Sequence, residues 1–125
     1  MNYKIEQATK NDLKSILFLN QDSIPAVSSS NLEMIKHFLI ICDYFKVCKI
    51  NGKIICFLNA LLPSKDYKSE HYKWFNERYK SFIYVDRIIL NKSYQNQGYG
   101  IVFYDDLKKS IENKPLDIAL SLKHI

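Results

Sequence analysis

The sequence predicts an α/β (α+β) fold in which a mixed, mostly antiparallel sheet of about five strands is flanked by helices. Three observations carry this. Runs with strand alternation and runs with helical periodicity follow one another along the chain, an Asn51-Gly52 pair joins two apolar runs, and a third apolar run leads through a two-glycine turn into an amphipathic segment. The length of 125 residues, 47% hydrophobic and 14% aromatic, suits a single domain over 1–125 with one buried core.

The opening YKIEQAT alternates and reads as a first strand. In TKNDLKSILFLN, Thr9 and Asp12 have capping-box spacing, and Leu13, Ile16, Leu17 and Asn20 share one helical face. Ser30 and Glu33 repeat the capping spacing, and Leu32, Ile35, Leu39 and Cys42 continue it as a second helix to about residue 42. YFKVCKI and KIICFLNALL flank Asn51-Gly52 as two antiparallel strands. Pro63 ends the second, and a polar, aromatic-laced insertion follows, with one helical turn expected around Glu70 to Tyr79. It reads either as a cover packed by Trp74 and Phe75 or as a ligand contact. FIYVDRIIL is an apolar strand of the centrally buried kind. Past the glycine turn, Gly100, Phe103, Tyr104, Leu107 and Ile111 fall on one side of a helix that Pro115 breaks, and LDIALSL is a final strand.

Composition excludes several classes. The net charge of +5 comes almost wholly from lysines scattered over every segment, with arginine only at Arg78 and Arg87, so a dedicated nucleic-acid reader is not expected. Cys42, Cys48 and Cys56 are odd in number, lie in apolar runs and lack CxxC spacing, which predicts buried free thiols and a cytoplasmic setting. No apolar run is long enough to span a bilayer, so no membrane partner is expected. His37, His71 and His124 have no metal spacing and read as ordinary surface histidines, with no metal expected.

The first amides of a helix lack internal acceptors and carry partial positive charge. A strand running straight into such an end makes an anion site if side chains leave room. Gly98 and Gly100 leave that room, so amides from Gln97 to Ile101 are placed to cradle a pyrophosphate, with Gln95 or Asn96 closing the edge. The spacing is neither GxGxxG nor a Walker loop, and a glycine-eased strand-to-helix turn explains it equally well.

In that setting YQNQGYG resembles motif A of the GNAT N-acetyltransferases, (R/Q)xxGx(G/A), with Gln95, Gly98 and Gly100 in its three fixed positions. The upstream order of elements matches the GNAT plan, and NQDSIPAV, YKSEHYKWFNERY and FIYVDRIIL together are similar to a bacterial group of acetyltransferases of undefined substrate. The resemblance implies acetyl-CoA as cofactor and direct acetyl transfer to an amine of a small molecule or peptide. It implies that Ile88, Ile89 and Leu90 hold the pantetheine arm, and that the segment Gln95, Asn96, Gln97, Gly98, Tyr99, Gly100 and Ile101 holds the pyrophosphate. By the same analogy Asp86 is the base or orients the amine, a structural pair with Arg87 or a lysine being the competing reading. Asn20, Tyr67, Tyr72 and Trp74 are the implied acceptor-pocket residues, with packing or capping as the other reading of each.

A GNAT chain normally continues with one more helix and two strands, bearing an Asn for the cofactor and a Tyr that protonates the leaving thiolate. Here the sequence ends at Ile125. A truncated domain is therefore expected, with Tyr104 as a substitute phenol and with Leu116 to Leu122 as an exposed edge strand that invites a homodimer. The alternative function is a catalytically impaired CoA-binding or interaction remnant of such a domain.

Overall fold

The turn at Asn51-Gly52 sets the sheet. Both residues have positive φ, 51° and 77°, which a tight hairpin requires and which these two residue types accommodate. In the computed structural model, which describes residues 2–25 and 27–120, the strands are β1 (Lys4–Gln7), β2 (Tyr44–Ile50), β3 (Lys53–Leu61), β4 (Phe82–Leu90) and β5 (Asp117–Leu120). The helices are α1 (Leu13–Asp22), α2 (Leu32–Ile41), α3 (Glu70–Arg78) and α4 (Tyr99–Ile111). The strands lie in the order β1-β2-β3-β4-β5, antiparallel except for the parallel β4–β5 pair.

The sheet carries a core on each face. One face is covered by Ile16 and Leu19 of α1, Ile35, Phe38 and Ile41 of α2, and Tyr72 of α3, all against Phe45, Phe57, Leu61, Tyr84 and Ile89. The other is covered by Tyr99, Phe103, Leu107 and Ile111 of α4, against Ile55, Leu58, Ile83 and Val85. Each fully buried Phe or Leu there contributes about 1.5–3 kcal/mol over its exposed state.

Local sequence signals held with three adjustments. Asp12 does accept from the Thr9 amide and hydroxyl, at 2.9 and 3.1 Å, but Lys10–Asp12 forms a 3-10 turn ahead of α1. The cap of α2 is Asn31 rather than Ser30: its Oδ1 accepts from the Met34 amide at 2.8 Å, and this turns the buried stripe onto Ile35, Phe38 and Ile41 while Leu32 stays exposed. The insertion forms a nine-residue helix, since Ser69 caps it through the Tyr72 amide. All three cysteines are free, with Cys48 and Cys56 buried and Cys42 half-buried. Residues 121–125, which include His124 and the end of the expected last strand, lie outside the described residues.

Candidate active site

The register of β3 against β4 shifts between Asn59 and Ala60: Asn59 faces Arg87 and Ala60 faces Val85, which leaves Asp86 as an extra residue in β4. Such a bulge breaks the alternation of side chains. Adjacent residues Asp86 and Arg87, expected on opposite faces, therefore meet. Arg87 Nε donates to Asp86 Oδ2 at 2.8 Å, and both residues are buried. The amide of Asn59 stitches the bulge: Oδ1 accepts from the Arg87 N–H at 3.2 Å, and Nδ2 lies 3.4 Å from Asp86 Oδ2.

Two further side chains complete this buried network. The Tyr67 hydroxyl donates to Asp86 Oδ1 at 2.7 Å. Arg87 Nη1 donates to Asn20 Oδ1 at 2.7 Å, with the Ser28 carbonyl 3.4 Å away. Burial opposes the charge on Arg87, but Asp86 beside it outweighs that cost and holds the guanidinium charged. Burial, and next the charge of Asp86, push the Tyr67 phenol upward, so it remains a donor.

Asp86 and Arg87 form the floor of a cavity of about 390 Å³. Its walls are Val27, Ser28, Ser29 and Met34 on one side and the run Tyr67 to His71 on the other. The second wall is fixed by His37, whose Nε2–H donates to the Asp66 carbonyl at 2.9 Å, and by edge-on packing of Tyr67 on Phe38 at 5.6 Å. The volume falls in the range of small-molecule sites.

Of the four sequence-derived acceptor residues, the structure brings two to this place. Tyr67 lines the cavity, and Asn20 lies behind its floor as a partner of Arg87. Tyr72 is 1% exposed and belongs to the core, where its hydroxyl donates to the Leu62 carbonyl and accepts from the Lys65 amide. Trp74 is 45% exposed and stacks under Arg78, away from the cavity. His71 was read as a surface histidine, yet it is half-buried in the cavity wall. Tyr104 packs on the α4 face of the sheet, opposite the face that carries Tyr67, and burial followed by the nearby Cys56 raises its phenol.

The glycine turn lies at the end of β4. Gly98 is the N-cap of α4 with φ +88°, which only glycine adopts without strain, and a Cβ at Gly98 or Gly100 would point into open space. No side chain caps this helix, and among the described residues nothing accepts from the amides of Tyr99, Gly100 and Ile101. A diphosphate fits that combination of bare alpha carbons and free donors. Among the described residues, the β4–β5 ladder runs from the Phe82–Asp117 rung to the Val85–Leu120 rung. Asn91 N–H donates to the Ile55 carbonyl, so alternation turns the backbone groups of Ile89 toward β3 and those of Ile88 and Leu90 toward the other side. Gln95 Nε2 lies 3.4 Å from the Leu90 carbonyl there. Ile89, whose backbone faces β3, is accordingly placed differently from its two neighbours.

No protein-family model matches the chain, and no curated protein matches it in sequence. Solved structures do match. Ard1 from Thermoplasma volcanium superposes with a TM-score of 0.75 at 11% identity, over 96% of this chain and 71% of that one. The ribosomal-protein-S18-alanine N-acetyltransferase from Escherichia coli gives 0.65 at 14%, over 93% and 65%. AAC(6')-Iy, solved with a bisubstrate analogue of CoA and acetylneamine, gives 0.69 at 17%, over 97% and 80%. Five strands in this order, the helices on both faces and these superpositions together show that the chain has the fold of the GNAT acetyltransferase superfamily.

Proposed function

We propose that this chain is an N-acetyltransferase that moves an acetyl group from acetyl-CoA directly to an amine of a small molecule or peptide. The observation that carries the reading is the uncapped start of α4, with its left-handed Gly98 and open space at both glycines, on a fold shared with acetyltransferases. Acetyl-CoA supplies the acyl group as a thioester. The amides of Tyr99, Gly100 and Ile101 hold the diphosphate, Gln95 to Gln97 border it, and the outward backbone groups of Ile88 and Leu90 pair with the amide-bearing arm, leaving Ile89 to anchor β4 in the sheet. The acceptor amine enters between the Ser28–Ser29 and Tyr67–His71 walls. Asp86, fixed by three hydrogen-bond partners, orients it. Tyr104, kept protonated by burial, is the proton donor assigned to the leaving thiolate on the α4 side.

Incubation with acetyl-CoA and an amine panel (spermidine, tyramine and an alanyl peptide amide), with free thiol followed over time, tests this. The expected result is amine-dependent thiol release. Absence of acetyl-CoA binding at millimolar concentration overturns it. One observation favours a second reading: both oxygens of Asp86 are already engaged by Tyr67, Arg87 and Asn59. A CoA-binding remnant without turnover would show calorimetric binding of CoA, unchanged in Asp86→Ala, and no thiol release.

A further inference from the structure

The acyl-transfer reading leaves open which group takes the proton from the amine, and the engagement of Asp86 bears on that choice. A carboxylate offers about four acceptor positions. Tyr67, Arg87 and Asn59 occupy three of them in a buried setting, and Asp86 has a further interaction besides. Proton uptake there would displace a hydrogen bond and leave Arg87 buried beside a neutral partner.

The other candidates in the cavity wall are Tyr67, Lys68, Glu70 and His71. Tyr67 is held protonated by burial and by Asp86. Lys68 and Glu70 are exposed at the rim. His71 is half-buried, lies in the first turn of α3 and belongs to the wall that Ser69 and the His37–Asp66 bond hold in place. Imidazole is the side chain whose ordinary titration range suits proton transfer near neutral pH. Both described histidines have partners, and of the two His71 is the one that lines this cavity, whereas His37 holds the Asp66 carbonyl outside it.

We propose that His71 is the general base of this site, and that Asp86, Arg87, Asn20 and Asn59 are positioning residues that shape its floor. The step rests on the acyl-transfer reading above. An acceptor R–NH3+ gives one proton to the His71 imidazole. The resulting amine nitrogen forms the N–C bond to the thioester carbonyl carbon, the C–S bond breaks, and the electron pair leaves on sulfur. The nitrogen sheds its second proton, the sulfur takes one up to become the thiol, and the imidazolium returns its proton to solvent. The net products are the acetamide, the free thiol and one proton. The other charged and titratable groups that line the cavity with His71 are Asp86 and Arg87 from β4 and Tyr67, Lys68 and Glu70 from its own segment.

His71→Gln and His71→Ala are compared with the unsubstituted chain, using acetyl-CoA and the best acceptor of the same amine panel. The expected result is a kcat lower by about 100-fold or more in both variants. KM for acetyl-CoA should stay unchanged, the limb of the pH–rate profile assigned to the base should disappear, and added imidazole should partly restore His71→Ala. Independently of turnover, that amine should move the ring resonances of His71 in the chain without acetyl-CoA, while those of His37 stay in place. This last reading needs no substitution and so holds even if a variant fails to fold. Retained rate and pH profile in His71→Gln, loss of rate without imidazole rescue, or unmoved His71 resonances each overturn the assignment. If the unsubstituted chain binds acetyl-CoA but accepts no amine, acyl transfer and this base fall together; turnover that survives in His71→Gln removes the base alone.

Discussion

Asp86 and Arg87 are costly to separate. Replacing Asp86 by Ala leaves a buried guanidinium without its counter-charge, and the expected loss is about 3–5 kcal/mol by denaturant unfolding. An Asp86→Leu/Arg87→Met double replacement should lose less than the single one, because neither charge is then stranded. A loss below about 1 kcal/mol in the single variant would mean that the pair does not hold the floor of the cavity. Gly98 tests another residue-level claim. Its φ of +88° with nothing within 4 Å of a Cβ means that Gly98→Ala is penalised by backbone conformation alone. That predicts a destabilisation of about 1–2 kcal/mol in thermal unfolding, and on the acyl-transfer reading a weaker hold on CoA by calorimetry. Gly98 was legible beforehand because a strand, a glycine and an amphipathic run are consecutive in the chain. The pairing of Asp86 with Arg87 is the competing reading of Asp86 and the structure forms it, but the way two adjacent strand residues come to meet was not legible, since it depends on a register shift against a strand about thirty residues away. His71 reads as a surface histidine from the sequence for a similar reason: its place in the cavity wall depends on how the start of α3 folds over β4.

At the scale of elements, α4 is tied to the sheet by more than its apolar stripe. Asp106 accepts from the Tyr44 hydroxyl at 2.7 Å and from Lys46 Nζ at 2.9 Å, both on β2. Burial alone would raise the Asp106 carboxyl, but the Tyr44 bond and then Lys46 outweigh it, so its folded value lies below the ordinary carboxylate range. A depressed acid stabilises the fold fully above its unfolded value and loses that contribution as pH falls through the folded one. Denaturation curves should therefore weaken below about pH 4. Asp106→Asn should lose about 1 kcal/mol at neutral pH and show a shallower acid decline. An acid decline identical to that of the parent chain would count against the tie. Element boundaries were read well where a local cap or turn decides them, as at Asn51-Gly52. They were read less well at α2, where Ser30 and Asn31 are competing caps one residue apart and the fold uses the second. The choice rotates which apolar residues are buried, and no local signal announces it.

For the whole molecule, the sheet divides the labour between its faces. The cavity opens on the side of α1, α2 and α3, the glycine turn introduces the helix on the other side, and β4 is the strand common to both. A ligand held at the head of α4 should therefore stabilise the entire domain. CoA at a hundredfold excess over its Kd is expected to add about 2.7 kcal/mol to unfolding, read as a rise in Tm that Gly98→Ala diminishes. An unmoved Tm at millimolar CoA would argue against that site. The order of elements and the five-stranded sheet were readable in outline because each strand and helix carries its own periodicity. The cavity was not, because its walls come from segments separated by some forty residues and its floor from a third.

The extra residue in β4 also makes strand length a control on chemistry. Removing one residue near position 86 would let the ladder close with ordinary alternation, so the sheet and both cores would persist. Arg87 and its carboxylate neighbour would then project from opposite sides, and the domain would keep its shape while losing its pocket floor.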